Sequence, residues 1–546
     1  MSRPLDHIET PEQVGGQAEQ PKLSTKGWLR WAWRQLTSMR TALLLLLALA
    51  IAAVPGSLVP QRSADPNGVT QYFDTNPQLA PVLDQLQFFD VYTSVWFSAI
   101  YLLLFVSLVG CIVPRSLHHA RALRAAPPKT PTNLRRMPAY SENTVSAGSD
   151  SEEVIAEAKR LLRRSRYRVA TFTQRDRSGQ EAISVSAERG YLRETGNLVF
   201  HISLVGILIA VGIGGGFGFS GQRVIVEGQS FVNSLASYDS FSPGRFFDIN
   251  NLEPYSLSLD EFSVSYEEQN LDAFGQPVDY TADVTITAAN GADTNPGQIK
   301  VNEPLRIAGT DVFLLGNGYA PQLTVRNPDG DIVFSDDIPF LPQDANLTSL
   351  GVVKVPDGLD EQVGMVGFFY PTQSQLTNGA YVSVYPDLTY PVVTLNVYTG
   401  DLGINDGIPR SVYALNTDDL TQLTGGETGI DSIELRPGET QELPNGLGSI
   451  TLESVKRFAS FEVHSDPSQG WVLLFSMLVL AGLMLSLLVP RRRIWVKLIP
   501  VDDAVVRVEY AGLARGDDAK LQSAVAALQR AHNASIIVHR SNKDKK

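Results

Sequence analysis

Four apolar stretches divide the chain. They cover residues 41–59, 94–113, 198–219 and 471–489. Each stretch is about 20 residues long, which is the length that an α-helix needs to cross a hydrocarbon core about 30 Å thick. The pattern therefore predicts an α-helical membrane protein with four transmembrane helices.

Basic residues lie beside one end of each apolar stretch. They are Lys22, Lys26, Arg30, Arg34, Arg40, Arg115, Arg121, Arg124, Lys129, Arg189, Arg193, Arg491, Arg492, Arg493 and Lys497. In membrane proteins, an excess of Lys and Arg marks the cytoplasmic side. We therefore expect a multi-pass protein of the cytoplasmic membrane, with both termini and residues 114–197 in the cytoplasm. Residues 60–93 would form an external loop, and residues 220–470 would form an extracytoplasmic domain.

Two polar segments precede the first span. Residues 1–25 lack apolar periodicity, which predicts a disordered cytoplasmic tail. Residues 26–40 place three tryptophans among arginines, a composition typical of an interfacial amphipathic helix with its indoles at headgroup depth. Stacking against haem is the alternative role for these tryptophans. Because about 40 residues precede the span, we expect it to be retained and not cleaved as a secretory signal.

Two cytoplasmic segments combine helical and strand patterns. In residues 114–197, a Pro-rich linker precedes the amphipathic run SEEVIAEAKRLLRRS, and YRVATFTQ and EAISVSAE follow as a predicted hairpin. In residues 490–546, IWVKLIPV and AVVRVEYAGL precede a predicted helix over DDAKLQSAVAALQRAH, and SIIVHR follows that helix. Neither segment is large enough for a core of its own. We therefore expect them to pack together as one small α/β layer.

The external residues 220–470 show a different pattern. Runs such as YSLSLDEFSVSY and PVVTLNVYTG alternate apolar with polar residues, and Gly, Asn, Asp and Pro separate them. This predicts a large all-β, sandwich-like domain, built as one unit or two. About ten Lys and Arg stand against more than thirty Asp and Glu here, so the domain holds most of the acidic excess behind the net charge of -13. That balance argues against a nucleic-acid partner.

Cysteine and motif content exclude several classes of site. Cys111 is the sole cysteine, so the chain has no internal disulfide, no C-x-x-C and no C-x-x-C-H for covalent haem. Walker A, G-x-S-x-G and H-E-x-x-H motifs are absent as well. We therefore do not expect this chain to contain a complete active site of the kind found in soluble enzymes, and we predict no catalytic residue. Cys111 is interpreted as an inert buried thiol, or as part of a pocket shared with His201 in the same leaflet.

His201 is the one histidine inside a predicted span. Three roles are open for it on the residues alone: a structural hydrogen bond to a neighbouring helix, ligation of a metal or haem iron, and a proton relay. His464, just before the fourth span, is interpreted as a surface residue, with contact to a ligand delivered across the membrane as the alternative. His118 and His119 point about 100° apart on a helix, so they do not form a bidentate pair.

Glycines follow His201 at the end of the third span. Gly212 and Gly216, and likewise Gly214 and Gly218, form small-x-x-x-small pairs. Such pairs let helix backbones approach closely. They predict a helix-packing face, either within the bundle or with a partner.

Three sequence motifs occur in a fixed order along the chain. ERGYLRETGNLVFH introduces the third span, DPSQGW introduces the fourth, and PRRRIWV closes it. Together with two early spans and a large β-rich external domain, they resemble the ResB (CcsB) family of cytochrome c biogenesis proteins over residues 28–515. The resemblance implies a role in the system II pathway, which exports haem and attaches it covalently to apocytochrome c outside the cytoplasmic membrane.

The resemblance also implies a site and its partners. His201 falls on the third-span histidine of the family and would be an axial ligand of a transient, non-covalent haem b. The implied partners are a ResC (CcsA)-type haem-handling membrane protein, apocytochrome c, and a thioredoxin-like protein that keeps the apocytochrome reduced. In the family, the partner holds haem on a tryptophan-rich external segment. This chain has no such segment, because Trp96 and Trp471 stand alone at membrane boundaries. The resemblance therefore implies a composite synthase site, with this chain as a non-catalytic or co-catalytic subunit of a haem lyase.

Two other classes of protein remain as alternatives. The first is a membrane-anchored β-domain that acts as a binding or scaffold module of the envelope and has no haem role. The second is a transporter, which the sequence disfavours because four spans without internal repeats are few for a carrier acting alone.

Overall fold

The computed structural model describes residues 24–146, 151–175, 180–289, 291, 293–404, 413–502 and 505–543. All but the last two residues of the tail predicted to be disordered lie outside the described residues. The chain separates into two compact units. We call Met1–Ala210 together with Gly470–Lys546 the membrane unit, and Val211–Gln469 the β unit.

Helices in the described residues account for the four apolar stretches. They are α1 (Thr25–Leu36), α2 (Met39–Leu58), α3 (Pro66–Thr75), α4 (Ala80–Gln85), α5 (Val95–Arg124), α6 (Ser151–Arg164), α7 (Leu192–Phe217), α8 (Gln469–Leu488) and α9 (Leu521–Lys543). Helices α2, α5, α7 and α8 supply four segments long and apolar enough to cross a membrane. This confirms the predicted four-helix membrane protein. Helices α5 and α7 each extend beyond the predicted apolar span, because hydropathy marks only the part of a helix that suits lipid.

Strands make up most of the remaining described chain. They are β1 (Ala139–Ser146), β2 (Arg168–Arg175), β3 (Glu181–Arg189), β4 (Phe219–Val226), β5 (Ser230–Val232), β6 (Ser240–Pro243), β7 (Tyr255–Tyr266), β8 (Pro277–Ala288), β9 (Thr294–Lys300), β10 (Leu305–Ile307), β11 (Thr310–Arg326), β12 (Ile332–Asp337), β13 (Leu341–Pro342), β14 (Ser349–Val355), β15 (Val363–Tyr370), β16 (Gln373–Gln375), β17 (Tyr381–Ser383), β18 (Val392–Thr399), β19 (Thr421–Gln422), β20 (Ile433–Leu435), β21 (Thr440–Glu442), β22 (Ser449–Ser465), β23 (Arg492–Asp502) and β24 (Val505–Ala514). They form one sheet in the membrane unit and several in the β unit.

The sheet of the membrane unit joins two distant parts of the sequence. Its antiparallel order is β1-β24-β23-β3-β2, so the two strands that follow the β unit in sequence lie between strands that precede it. Helices α6 and α9 contact each other and cover one face, around buried side chains such as Leu162, Val496 and Val525. The expected joint α/β layer is therefore confirmed. The run SIIVHR was expected to follow the C-terminal helix, but it lies within α9, which continues to Lys543.

Two segments near the first span differ from expectation. Residues 60–93 are not a plain loop: they contain α3, α4 and a 3-10 turn packed around Phe89, and Arg62 binds Asp84 at 2.6 Å. The predicted interfacial helix over residues 26–40 is α1, which stops earlier because the Ser38 hydroxyl accepts the Thr41 N–H and starts α2. The three tryptophans of α1 are exposed.

The β unit has two hydrophobic cores that share one pair of strands. Strands β11 and β22 are 17 residues each and pair along most of their length. One end of this pair faces the sheet β13-β14-β15-β18-β19 across a core that includes Tyr319 and Phe369, and the other end faces β5-β7-β8-β9 across a core that includes Phe231 and Phe461. Each half is a sandwich of facing sheets. The β unit is thus two sandwiches built on one continuous central ribbon.

Helices α7 and α8 are connected to paired strands at both ends. Strand β3 runs into α7, which runs into β4, and β22 runs into α8, which runs into β23. Strand β3 pairs with β23, where Arg189 is opposite Arg492, and β4 pairs with β22, where Phe219 is opposite Ser465. The strands that precede α7 and follow α8 are therefore paired with each other, as are the strands that follow α7 and precede α8.

Candidate functional site

His201 lies on α7 with one ring nitrogen engaged. Its Nδ1 is 2.8 Å from the main-chain oxygen of Asn197, one turn earlier, and its ring meets Phe200 edge-on with centroids 5.0 Å apart. A carbonyl oxygen can only accept, so Nδ1 carries a proton, and in a neutral imidazole the lone pair is then on Nε2. Nε2 makes no hydrogen bond with any residue that the structure describes. This is the tautomer that a metal-ligating imidazole uses, with its other nitrogen oriented by a carbonyl.

The imidazole points away from the neighbouring helix α8. The buried side of α7 carries Gly196, Ser203, Gly206 and Ala210. At about 100° per residue, His201 is rotated about 140° from Gly196 and about 160° from Ser203. The side chain is half-buried. His201 is therefore on the side of α7 opposite its contact with α8.

Small residues set the contact between α7 and α8. A Cβ atom built on Gly482 would lie 2.6 Å from the Phe200 main-chain nitrogen, and one on Gly196 would lie 2.7 Å from the Gly482 oxygen. A Cβ on Gly206 would lie 2.5 Å from the Phe475 ring. These contacts are too close for any larger side chain, so the glycines bring the two backbones together.

The glycines singled out from the sequence have a different role. Cβ atoms on Gly214, Gly216 and Gly218 would meet Asp466, Phe246 and the main-chain oxygen of Ser465. These partners lie in loops and at a strand end of the β unit. Within the chain these three glycines do not form the predicted helix-packing face, because they let non-helical segments approach the last turns of α7; packing with a partner stays a prediction.

A buried ionic cluster lies where α7 begins. The carboxylate of Glu188, with 2% of its side chain exposed, accepts hydrogen bonds from Arg491 at 2.5 Å and Arg493 at 2.9 Å. The Tyr191 hydroxyl donates to the same carboxylate at 2.6 Å. The Tyr191 ring also lies between the guanidinium groups of Arg168 and Arg491, each 4.9 Å from its centroid. The motifs ERGYLRETGNLVFH and PRRRIWV are therefore in direct contact.

The charge of Glu188 is stabilised despite its burial. Burial acts to raise its pKa, but hydrogen bonds from Tyr191, Arg491 and Arg493 outweigh burial and hold the pKa below its usual range. Burial, followed by the hydrogen bond to Glu188, raises the pKa of Tyr191 to about 12. The cluster thus keeps a carboxylate and two guanidinium groups charged in a site that excludes most water.

Glu194 and His119 extend this cluster to α5. Glu194, in the first turn of α7, binds Arg491 and also Arg515 at 2.6 Å. His119 Nε2 donates to the Thr195 hydroxyl at 3.0 Å, since that hydroxyl donates in turn to the Tyr191 carbonyl. A carboxylate at a helix N-terminus is favoured by the helix dipole. The cluster therefore connects α5, the first turn of α7, the residues that follow α8, and the paired strands β3 and β23.

Among the described residues, none of the other predicted residues makes a hydrogen bond or ring contact with His201. The Cys111 thiol donates to the Thr37 carbonyl at 2.8 Å, on the side of α5 that meets the turn between α1 and α2. His118 is exposed whereas His119 is buried, so the two point in different directions, as predicted. His464 is not a simple surface residue: it is half-buried on β22, between Asp311 on β11 and Ser220 on β4.

The sequence marked Arg491 and Arg493 only as basic residues beside a span, and it did not single out Glu188 or Tyr191. The sequence did hold a signal for an ion pair: the motif before the third span carries glutamates, and the motif after the fourth span carries arginines. Both motifs lie directly beside spans, where an unpaired charge is costly. What the sequence lacked was the pairing itself, since Glu188 and Arg491 are 303 positions apart. Among the described residues, no group of three His, Cys, Asp or Glu side chains could hold a metal ion.

The fold and the site define a class: a membrane protein with four candidate spans, a large β region between the third and fourth, and a histidine with a free Nε2 on the third. A model of the ResB-like family matches residues 39–526. The chain belongs to the ResB-like family.

Two curated relatives illustrate the similarity. A protein named cytochrome c biogenesis protein CcsB from Prochlorococcus marinus (strain NATL1A) is 26% identical over 286 residues, covering 51% of this chain and 59% of the relative. One of the same name from Gloeobacter violaceus is 26% identical over 328 residues, covering 57% of this chain and 63% of the relative. The matched part of this chain thus spans about three fifths of these relatives' lengths.

Proposed function

We propose that this chain acts in cytochrome c biogenesis as the membrane subunit that holds haem b through His201 and supports its covalent attachment to apocytochrome c outside the membrane. The observation that carries the proposal is the state of His201: Nδ1 donates to Asn197, and Nε2 is free on the side of α7 away from α8. The names of the curated relatives support the pathway.

The residues around His201 fit a haem iron. The Asn197 carbonyl fixes the orientation of the ring, as carbonyls do for other metal-bound histidines. Phe200 packs against the ring and supplies apolar surface of the kind that a porphyrin contacts. Haem b, when bound, supplies the vinyl groups to which the two apocytochrome cysteines add. The chain's own contribution would be to hold the His201 imidazole in one orientation on the third span, where it could bind the haem iron.

The rest of the site would come from partners. Because His201 points away from α8, a second axial ligand is best supplied by another protein, and we assign it to a ResC (CcsA)-type membrane partner. The chain's sole cysteine is Cys111. The thiols for thioether formation would therefore belong to the apocytochrome, kept reduced by a thioredoxin-like protein.

The proposed orientation follows from charge. Both termini and the sheet β1-β24-β23-β3-β2 would lie in the cytoplasm, beside the basic residues that flank the spans. The acidic β unit would lie outside, where apocytochrome c is matured. In this arrangement His201 is near the cytoplasmic end of α7, at the side where haem is made available.

The test is a spectrum of the complex purified in detergent after coexpression with a ResC-type partner. Unchanged protein should carry haem with a bis-imidazole absorption spectrum. The His201→Ala variant should lose that spectrum, and the His201→Gly variant should regain it when free imidazole is added. His464→Ala is the matched control and should keep it.

A specific result would contradict the haem role. If His201→Ala retains pigment with an unchanged spectrum and normal covalent haem attachment to a coexpressed cytochrome, His201 is structural. If omission of the chain also leaves covalent haem attachment unchanged, the alternative of an envelope binding or scaffold module would hold.

A further inference from the structure

A short apolar loop of the β unit is held at the end of α7. We call residues 244–251, between β6 and β7, the Phe246 loop. Phe246 has 64% of its surface exposed and Ile249 has 47% exposed. Phe247, between them, points the other way and packs on Phe219 with ring centroids 4.9 Å apart. The loop therefore presents large apolar side chains outward from a base that is anchored in the β core.

Main-chain hydrogen bonds attach this loop to α7. Gly244 N–H donates to the Gly218 carbonyl and Phe246 N–H donates to the Gly216 carbonyl, each at 2.8 Å. The approach is so close that a Cβ atom on Gly244 would lie 2.6 Å from the Gly216 carbonyl carbon. These bonds satisfy carbonyls that a helix end leaves without partners. The loop thus has a fixed position relative to the last turn of α7.

Phe217 and Phe246 lie side by side at this position. Their ring centroids are 5.5 Å apart, and Phe217 has 52% of its surface exposed. Arg193 and Glu194 are charged and Asn197 is polar, so the apolar run of α7 begins at residue 198. A span of about 20 residues from there ends near Phe217, which places Phe217 at the far boundary of the hydrocarbon core. Phe246 must lie at the same depth.

We propose that the Phe246 loop inserts into the boundary between headgroups and acyl chains, beside the end of α7, and holds this edge of the β unit on the bilayer. Phe246 and Ile249 contact lipid chains, and the exposed Arg245 reaches lipid phosphates. The occupant is lipid because the loop is hydrogen-bonded to the end of α7, at the depth where the apolar run of that helix ends. The proposal depends on α7 spanning the membrane and is independent of haem binding at His201.

A matched control residue lies elsewhere in the β unit. Phe274 has 55% of its surface exposed, close to that of Phe246, and packs on Tyr385 with centroids 5.4 Å apart. Asp387, two residues after Tyr385, binds Arg457 on β22 at 2.7 Å. Arg457 precedes Ser465, the strand end paired with Phe219, by eight residues, or about 26 Å of strand. A probe at Phe274 therefore reports an equally exposed aromatic position far from the end of α7.

The experiment uses the full chain in nanodiscs of phosphatidylcholine and phosphatidylglycerol. In a Cys111→Ser background, Phe246→Cys, Ile249→Cys and Phe274→Cys are each labelled with an environment-sensitive fluorophore. Lipids carrying a nitroxide near the top of the acyl chain should quench the probes at positions 246 and 249 at least twofold more than the probe at position 274. Water-soluble nitroxide should quench in the reverse order.

Two results would overturn the proposal. In the first, the probes at 246 and 274 are quenched equally by the lipid nitroxide. In the second, the probe at 246 is shielded only when a ResC-type partner is coexpressed, which would assign the loop to a protein interface. Neither result bears on the haem spectrum of His201→Ala, so failure of this inference is distinct from failure of the proposed function.

Discussion

The two ends of helix α7 are held by different chemistry. Where it begins, the buried carboxylate of Glu188 and the partly buried carboxylate of Glu194 bind arginines that follow α8. Where it ends, glycines admit the Phe246 loop and the end of β22, and main-chain hydrogen bonds replace ion pairs. The first end depends on complementary charge, whereas the second depends on the absence of side chains.

This difference determines what each end tolerates. A buried ion-pair network is damaged most when one partner is removed, because the remaining charge is left without compensation. A glycine contact has no charge to lose, yet a single methyl group is enough to separate the backbones. The two ends should therefore fail under different substitutions, which separates the contribution of charge from that of shape.

Glu188→Ala should have the largest effect. It leaves Arg491 and Arg493 without their shared carboxylate in a site where Glu188 is only 2% exposed. Removing one member of a buried pair costs about 3–5 kcal/mol. We expect a marked drop in the melting temperature of the detergent-solubilised protein, measured by intrinsic fluorescence.

The matched control for that change is Glu142→Ala. Glu142 also binds an arginine, Arg135, at 3.0 Å, but 42% of the Glu142 side chain is exposed. Solvent screens this pair, so its loss should move the melting temperature little. Equal shifts for the two variants would show that burial of the Glu188 cluster does not matter for stability.

Gly244→Ala should have an intermediate effect, confined to the far end of α7. The new methyl group would meet the Gly216 backbone at 2.6 Å, and overpacking of this kind costs about 1–3 kcal/mol. Limited proteolysis of the variant should cut the Phe246 loop faster than in the unchanged protein. Gly215→Ala is the control, because a Cβ atom there meets nothing within 4 Å. Equal cleavage of the loop in both variants would remove the steric argument.

The smallest predicted effect is a loss of stability at acid pH, which arises in the membrane unit. His532 on α9 is fully buried: its Nε2 donates to the Val154 carbonyl at 2.9 Å and its Nδ1 accepts from the Tyr510 hydroxyl at 2.8 Å. Burial lowers the pKa of His532, so the folded state holds the neutral form. Its contribution is complete above the unfolded pKa of about 6.5 and declines as pH falls below it, by at most about 1.4 kcal/mol per pH unit.

The measurement is thermal melting between pH 7.5 and 5 of the unchanged protein and of His532→Gln. The melting temperature of the unchanged protein should fall more steeply toward acid pH. The glutamine side chain of the variant has no proton to gain, so the curve of the variant should be flatter. Parallel curves would exclude His532 as the source of the pH dependence.

The sequence alone predicted the elements whose signal is local. Four apolar stretches predicted four membrane helices, since spanning a bilayer needs about 20 consecutive apolar residues. The run SEEVIAEAKRLLRRS predicted α6, and the strand pattern predicted a β region. The position of His201 on the third span was predicted in the same way, because one polar residue stands out in an apolar run.

The tertiary structure decided the features that depend on distant pairs. Nothing local shows that β3 pairs with β23 or that Glu188 binds Arg491, 303 positions later, because hydrogen bonds and ion pairs depend on where the chain returns. The glycine-rich end of α7 reads as a helix-packing face in sequence, and only the folded chain shows loops against Gly214 and Gly216. The free Nε2 of His201 likewise follows from the bond between Nδ1 and Asn197. Periodicity determines which residues enter lipid or a sheet, and packing determines which of them meet.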